Sequence, residues 1–155
     1  MKDPASKSEI RERALNLLAR REHSPAELQR KLVSRGFDAE ATTNVLRELE
    51  RDKLLSTERY VEARVRQSLS RGDGPRKIQA RLHDAGVDAP HTSELRDEDG
   101  TQIDWLEQAR RACERRFGED APTTTKEWMR RARFLAARGF TEDVVRKLLG
   151  RIPRP

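Results

Sequence analysis

Three histidines, one cysteine and a short acidic run are the side chains from which a catalytic or metal site would have to be built. A zinc ion needs His and Cys at short, regular intervals, so that three or four donors converge on it. His23, His83 and His91 are scattered, and none stands at such an interval from Cys113 or from another histidine, so neither a metal nor a cofactor is expected. No phosphate-cradling glycine loop of the G-x-x-x-x-G-K-[ST] or G-x-G-x-x-G kind occurs, and no G-x-S-x-G nucleophile elbow. The stretch "RGDGP" at 71–75 is glycine-rich but lacks the lysine and hydroxyl of a phosphate loop, so it reads as a turn followed by a helix cap. Asp97, Glu98 and Asp99 fall in a loop-like stretch with nothing apolar beside them to raise a carboxyl pKa for acid–base work. The chain is therefore expected not to be an enzyme.

What remains is positive charge. The 155 residues carry 33 Lys and Arg against 27 Asp and Glu, a net charge of +6, with a pI near 10.0. That balance favours an anionic partner, most simply nucleic acid. Residues 101–155 hold 13 basic and 8 acidic side chains, five of the six net charges. The candidate binding residues are Arg30, Lys31 and Arg35; Arg76, Lys77 and Arg81; Arg110, Arg111, Arg115 and Arg116; and Arg130, Arg131, Arg133 and Arg138. Repeated along tandem modules, they would form a ladder suited to an extended polyanion. The plainer alternative is solvated helix faces with i,i+4 partners, such as Glu27–Lys31 and Glu142–Arg146. The aromatic residues follow helical spacing, which suits a core better than a base-stacking platform. Trp128 and Phe134 cannot both sit at the centre of one helix face, so one is expected to be partly exposed.

The elements that must carry these groups read as helices. The apolar fraction is 34% and the charged fraction 39%, which suits small helical modules that each bury one stripe per helix. Capping boxes are offered by Ser6-x-x-Glu9, by Ser24-Pro25-x-Glu27 and by Thr124-x-x-Glu127, and single caps by Asp38, Gly74 before Pro75, Asp88 and Thr141. The first three stripes are Ile10, Ala14, Leu17 and Leu18; Leu28 and Leu32; and Val45, Leu46 and Leu49, the last helix ending near Leu54 and Leu55. The pattern restarts with Tyr60, Val61, Val65 and Leu69, then Ile78 and Leu82, with a short third helix and an exposed break at "RDEDGTQ". It restarts again with Trp105, Leu106, Ala109 and Cys113, then Trp128, Ala132 and Leu135, then Val144, Val145, Leu148 and Leu149.

A repeated helix end sets the register. Gly36, Gly86 and Gly139 lie 50 and 53 residues apart; each has Leu four places earlier (Leu32, Leu82, Leu135) and an apolar residue directly after (Phe37, Val87, Phe140). This is what a Schellman stop needs: glycine in the left-handed conformation at C′, and an apolar residue after it that folds back on the leucine. Three such stops in register predict an all-α protein of three tandem three-helix repeats, elongated and curved. The expected boundaries are a tail over 1–9, repeats over 10–55, 56–100 and 101–155, and a short proline-containing end. The stop does not require arginine, yet Arg35 and Arg138 recur where the middle copy has Ala85. Their repetition calls for a functional reason.

One cysteine, no long apolar run and no apolar leader at "MKDPASKSEI" predict a cytoplasmic protein without membrane contact. The segments "SPAELQRKLVSRGF", "YVEARVRQSLSRGDGPRKIQARLHDAGV" and "FLAARGFTEDVVRKLL" together resemble the RecX family, regulators of the bacterial recombinase RecA, over about residues 10–150. The resemblance implies three tandem three-helix repeats and a protein that binds RecA and its filament on single-stranded DNA; a monomer is expected. It implies inhibition of ATPase, strand exchange and co-protease functions, and some direct contact with DNA, single-stranded first and duplex second. It transfers no catalytic motif. The second reading is a DNA-binding transcription factor of helix-turn-helix type, since a tight turn at Gly36 or Gly139 could join two helices that way.

Overall fold

The computed structural model describes residues 7–88 and 95–154. Within them lie eight helices: α1 Lys7–Arg20, α2 Pro25–Ser34, α3 Ala39–Arg51, α4 Thr57–Ser70, α5 Pro75–Asp84, α6 Trp105–Phe117, α7 Thr125–Ala137 and α8 Glu142–Leu149. The fold is all-α. Among the described residues the β pairing is an isolated antiparallel bridge between Arg96 and Gln102. It closes an exposed loop whose Asp97 carboxylate accepts from the N–H groups of Asp99 and Thr101 at 2.9 Å each. The cap expected at Ser6, and the short helix expected after Asp88, lie outside the described residues. The chain divides into two units, Met1–Ala63 with Leu82–Asp88 and Arg64–Arg81 with Ala89–Pro155.

In the first unit, α1, α2 and α3 close over Ile10, Ala14, Leu28, Leu32, Val45 and Leu49. The start of α2 is a complete capping box: Ser24 Oγ accepts from Glu27 N–H at 3.1 Å, and the Glu27 carboxylate accepts from Ser24 N–H at 3.2 Å, with Pro25 at N1. Asp38 caps α3 by accepting from Ala41 N–H at 2.9 Å. The end of α3 departs from expectation. It stops at Arg51 rather than near Leu55, because Lys53 turns left-handed at φ 62°. Lys53 N–H then donates to Glu50 O at 3.0 Å and Leu54 N–H to Leu49 O at 2.9 Å. That is a Schellman stop with lysine where glycine is usual.

The three glycine stops form as their spacing predicts. Gly36, Gly86 and Gly139 have φ of 98°, 74° and 92°. Phe37, Val87 and Phe140 donate N–H back to Leu32, Leu82 and Leu135 at 3.2, 3.0 and 3.1 Å, and each glycine N–H reaches the carbonyl three residues earlier. Leu32, Leu82, Leu135 and Phe140 are buried.

In the second unit, Ala109, Ala112, Cys113, Leu135, Phe140 and Val145 form the core of α6, α7 and α8. Thr124 Oγ1 accepts from Glu127 N–H at 3.1 Å. The reciprocal bond of a capping box is displaced: the Glu127 carboxylate takes Thr123 N–H at 2.9 Å instead of that of Thr124. Chiefly that bond holds the Glu127 carboxyl below the usual range. Trp128 is buried and its Nε1 donates to Gly150 O at 3.3 Å, while Phe134 is half-buried.

The stops also serve as docking points for other helix starts. In the first unit Ser24 Oγ donates to Ala85 O at 2.6 Å, and a Cβ on Gly86 would meet the Ala26 Cβ at 2.5 Å. In the second, Gly74 N–H donates to Arg138 O at 2.7 Å and Arg76 N–H to Gly139 O at 3.0 Å. The N–H groups at the start of α5 thereby satisfy carbonyls left open at the end of α7.

Candidate basic binding surface

The fourteen basic residues singled out from sequence separate by what they touch. Around the first stop, Arg30 is tied down, its guanidinium donating to Asp84 O at 2.8 Å. Lys31 does not pair with Glu27. Its Nζ meets His23 Nε2 at 2.9 Å, while Glu27 takes Arg21 at 2.8 Å. His23 is buried, with Nδ1 3.0 Å from Arg21 O. A ring that donates from Nδ1 and accepts at Nε2 fits both contacts, so the neutral tautomer is the one that fits. Burial chiefly holds the pKa of both His23 and Lys31 below their usual values. Arg35 is exposed and lines a cavity of about 120 Å³ with Arg13, Asn16, Leu17 and Arg20.

On α5 the decisive residue is an acid that the turn reading of "RGDGP" misses. Asp73 is fully buried. Arg81 reaches its Oδ2 at 3.0 Å and also Ser68 Oγ at 3.2 Å. Lys77 Nζ and Arg138 NH1 lie 3.6 and 3.5 Å from Oδ1. Asp73 N–H donates to Ser68 O at 3.0 Å. One carboxylate thus gathers three of the singled-out cations from α5 and the end of α7. The sequence does carry a signal for it: Lys77 and Arg81 stand four and eight places after Asp73, on one helix face. Arg76 is exposed at the start of α5.

On α6, Arg110 and Arg111 share Glu107 at 2.7 and 3.3 Å, as plain surface pairs. Arg115 and Arg116 are exposed. With Arg71, Ala112, Phe134 and Arg138 they line a cavity of about 200 Å³. Two aromatic rings stand here, Phe117 edge-on to Phe134 at 5.3 Å. Arg116, Arg130 and Arg131 place guanidiniums 5.8, 5.6 and 5.4 Å from the Phe117 ring centre, and Arg138 lies 5.4 Å from that of Phe134. Such contacts hold arginines in place without neutralising them. Arg131 also donates to Asp120 O at 2.6 Å, and Arg133 is exposed.

Cys113 is buried and unpaired, and burial chiefly raises its thiol pKa. Among the described residues no group of three or more His, Cys, Asp or Glu could hold a metal ion. No helix there is long and apolar enough to cross a membrane.

Comparison with known proteins places this arrangement. Residues 11–49 match the family model "RecX, first three-helix domain", and residues 102–149 match "RecX, third three-helix domain". The regulatory protein RecX of Halorhodospira halophila is 42% identical over 142 residues, covering 92% of this chain and 87% of its own. The chain belongs to the RecX family. The regulatory protein RecX of Acidithiobacillus ferrooxidans is 39% identical over 137 residues, covering 88% and 86% of the two chains. The crystal structure of RecX from Lactobacillus salivarius superposes with a TM-score of 0.71 at 21% identity, covering 92% and 93%, and shares the fold. Within that family the first and third three-helix domains correspond to α1–α3 and α6–α8, the groups that carry Arg35 and Arg138.

Proposed function

We propose that this chain is a non-enzymatic regulator that binds RecA and its filament on single-stranded DNA and restrains ATPase, strand exchange and co-protease activity. The observation that carries the reading is 42% identity to a regulatory protein RecX across 92% of the chain. The distribution of charge supports it. Arg13, Arg20, Arg35, Arg71, Arg115 and Arg116 line small cavities without a carboxylate, available to an acidic protein surface or to DNA phosphate. The protein acts as a monomer in the cytoplasm, where a reducing environment suits its lone thiol. Bound along the filament, it blocks or destabilises growth. The test is the ATPase rate of RecA on single-stranded DNA with the protein titrated in. Inhibition at less than one copy per RecA is expected, and an unchanged rate at micromolar protein would refute the reading.

A further inference from the structure

In two places the arginine before a stop glycine faces the first helix of its own three-helix group across a small cavity. Arg35 shares one of about 120 Å³ with Arg13 and Arg20 of α1. Arg138 shares one of about 200 Å³ with Arg115 and Arg116 of α6, joined by Arg71. Among the described residues no Asp or Glu lines either cavity. Asp73 offsets Arg138, and Arg138 and Arg115 donate to the carbonyls of Arg71 and Ser70, but the other guanidiniums around each cavity have no carboxylate lining it with them, and like charges so grouped repel. Each guanidinium offers a planar fork of N–H donors that matches the oxygens of a phosphate. Both cavities, about 200 and 120 Å³, are smaller than the roughly 300–1,000 Å³ typical of a drug-sized ligand site, and a single phosphate group suits that size.

We propose that these are two phosphate seats, one in each group, and that each takes a backbone phosphate of single-stranded nucleic acid. This rests on the filament-regulator reading and deepens it by naming the groups that touch DNA. The repetition of Arg35 and Arg138 then has its reason: in each group the tail of the helix stop adds a guanidinium to the two from the first helix. Arg138 does this while also touching Asp73, which holds it in position. Ala85, at the equivalent point of the middle copy, is buried and gives its carbonyl to Ser24 instead.

The test uses the full chain, a fluorescein-labelled oligo(dT) and anisotropy across a range of salt. The variants are Arg13→Ala with Arg35→Ala, and Arg71→Ala with Arg116→Ala. All four residues are exposed, so helicity by circular dichroism stays at the wild-type value. Each pair is expected to weaken binding about tenfold and to lower the salt slope by about one. Arg146→Ala with Lys147→Ala removes the same charge from residues paired with Glu142 and Asp143, and is expected to leave both quantities at wild type. Equal losses in all three double variants would reduce the effect to net charge and overturn the seats. So would wild-type behaviour of both seat variants, or no oligo(dT) binding by the wild type at low salt. ATP and pyrophosphate are added as competitors at matched ionic strength, and displacement of the strand by either would assign the cavities to free phosphates instead. Filament ATPase is read in parallel. Inhibition by the wild type with unaffected seat variants would sink the seats alone, and seat-dependent oligo(dT) binding without inhibition would sink the regulator reading alone.

Discussion

Gly74 and Gly139 meet backbone to backbone. A Cβ on Gly74 would lie 2.6 Å from both the carbonyl carbon of Gly139 and the nitrogen of Phe140, and one on Gly139 would lie 2.5 Å from Lys77 N. Glycine at a helix stop is usually explained by its left-handed backbone alone. Here the stop of α7 also has to admit the start of α5, and the close approach adds a second requirement at both glycines.

Gly74→Ala is therefore expected to destabilise the protein by about 1–3 kcal/mol, the usual cost of overfilling a packed site. Urea unfolding midpoints read the loss, and a cost below about 0.5 kcal/mol, the range of surface substitutions, would mean that the contact can relax.

Removing the Asp73 side chain is expected to cost about 3 kcal/mol, the low end for breaking a buried ion pair. The low end applies because Arg81, Lys77 and Arg138 keep 28%, 36% and 37% of their side chains exposed and regain some hydration. Asp73→Ala is measured by chemical denaturation. A loss below about 1 kcal/mol, the range of surface pairs, would show the cluster to be peripheral.

His23 makes stability depend on mild acid. Its ordinary value is 6.5, and the folded value lies lower, chiefly through burial; the Arg21 carbonyl opposes this and the Lys31 charge adds to it. A lowered folded pKa means that the unfolded chain takes up the proton first. Stability from this group is thus complete above about pH 6.5 and declines as pH falls toward the folded pKa. The melting temperature followed from pH 7.5 to 5.5 should drop in the wild type, and the drop should be smaller in His23→Gln. Identical profiles would exclude His23 as its source.

Lys53 is the non-glycine residue with positive φ among the described residues. Lys53→Gly relieves the left-handed strain and is expected to stabilise by about 1 kcal/mol, seen as a rise in melting temperature. A fall would show that the flexibility glycine adds to the unfolded chain outweighs the strain relieved.

What is legible in the sequence is local. Ser24, Asp38, Thr124 and Thr141 cap as their types and positions predict, and the three Leu–Gly–apolar stops form with the expected bonds. These motifs are decided within six residues. The end of α3 is not legible because no glycine marks it: a lysine adopts the glycine conformation. The contacts among the basic residues are less legible, since they depend on partners far along the chain. Lys31 turns to His23 rather than to its i−4 glutamate, and Arg138 reaches a carboxylate 65 positions away. Asp73 reads as a turn residue in "RGDGP"; its partners Lys77 and Arg81 at four and eight places are legible on one helix face, whereas the approach of Arg138 is not.

The most direct measurement of RecA-filament binding is a comparison of affinities by anisotropy: the labelled protein against preformed RecA filaments on single-stranded DNA, against the same DNA bare, and against a duplex, over a range of salt. Binding to the filament is predicted to be tighter than to either bare DNA, with a preference that persists as salt rises, because protein contacts add to phosphate contacts. Preference for one duplex sequence over the filament would contradict it and point to a helix-turn-helix transcription factor instead.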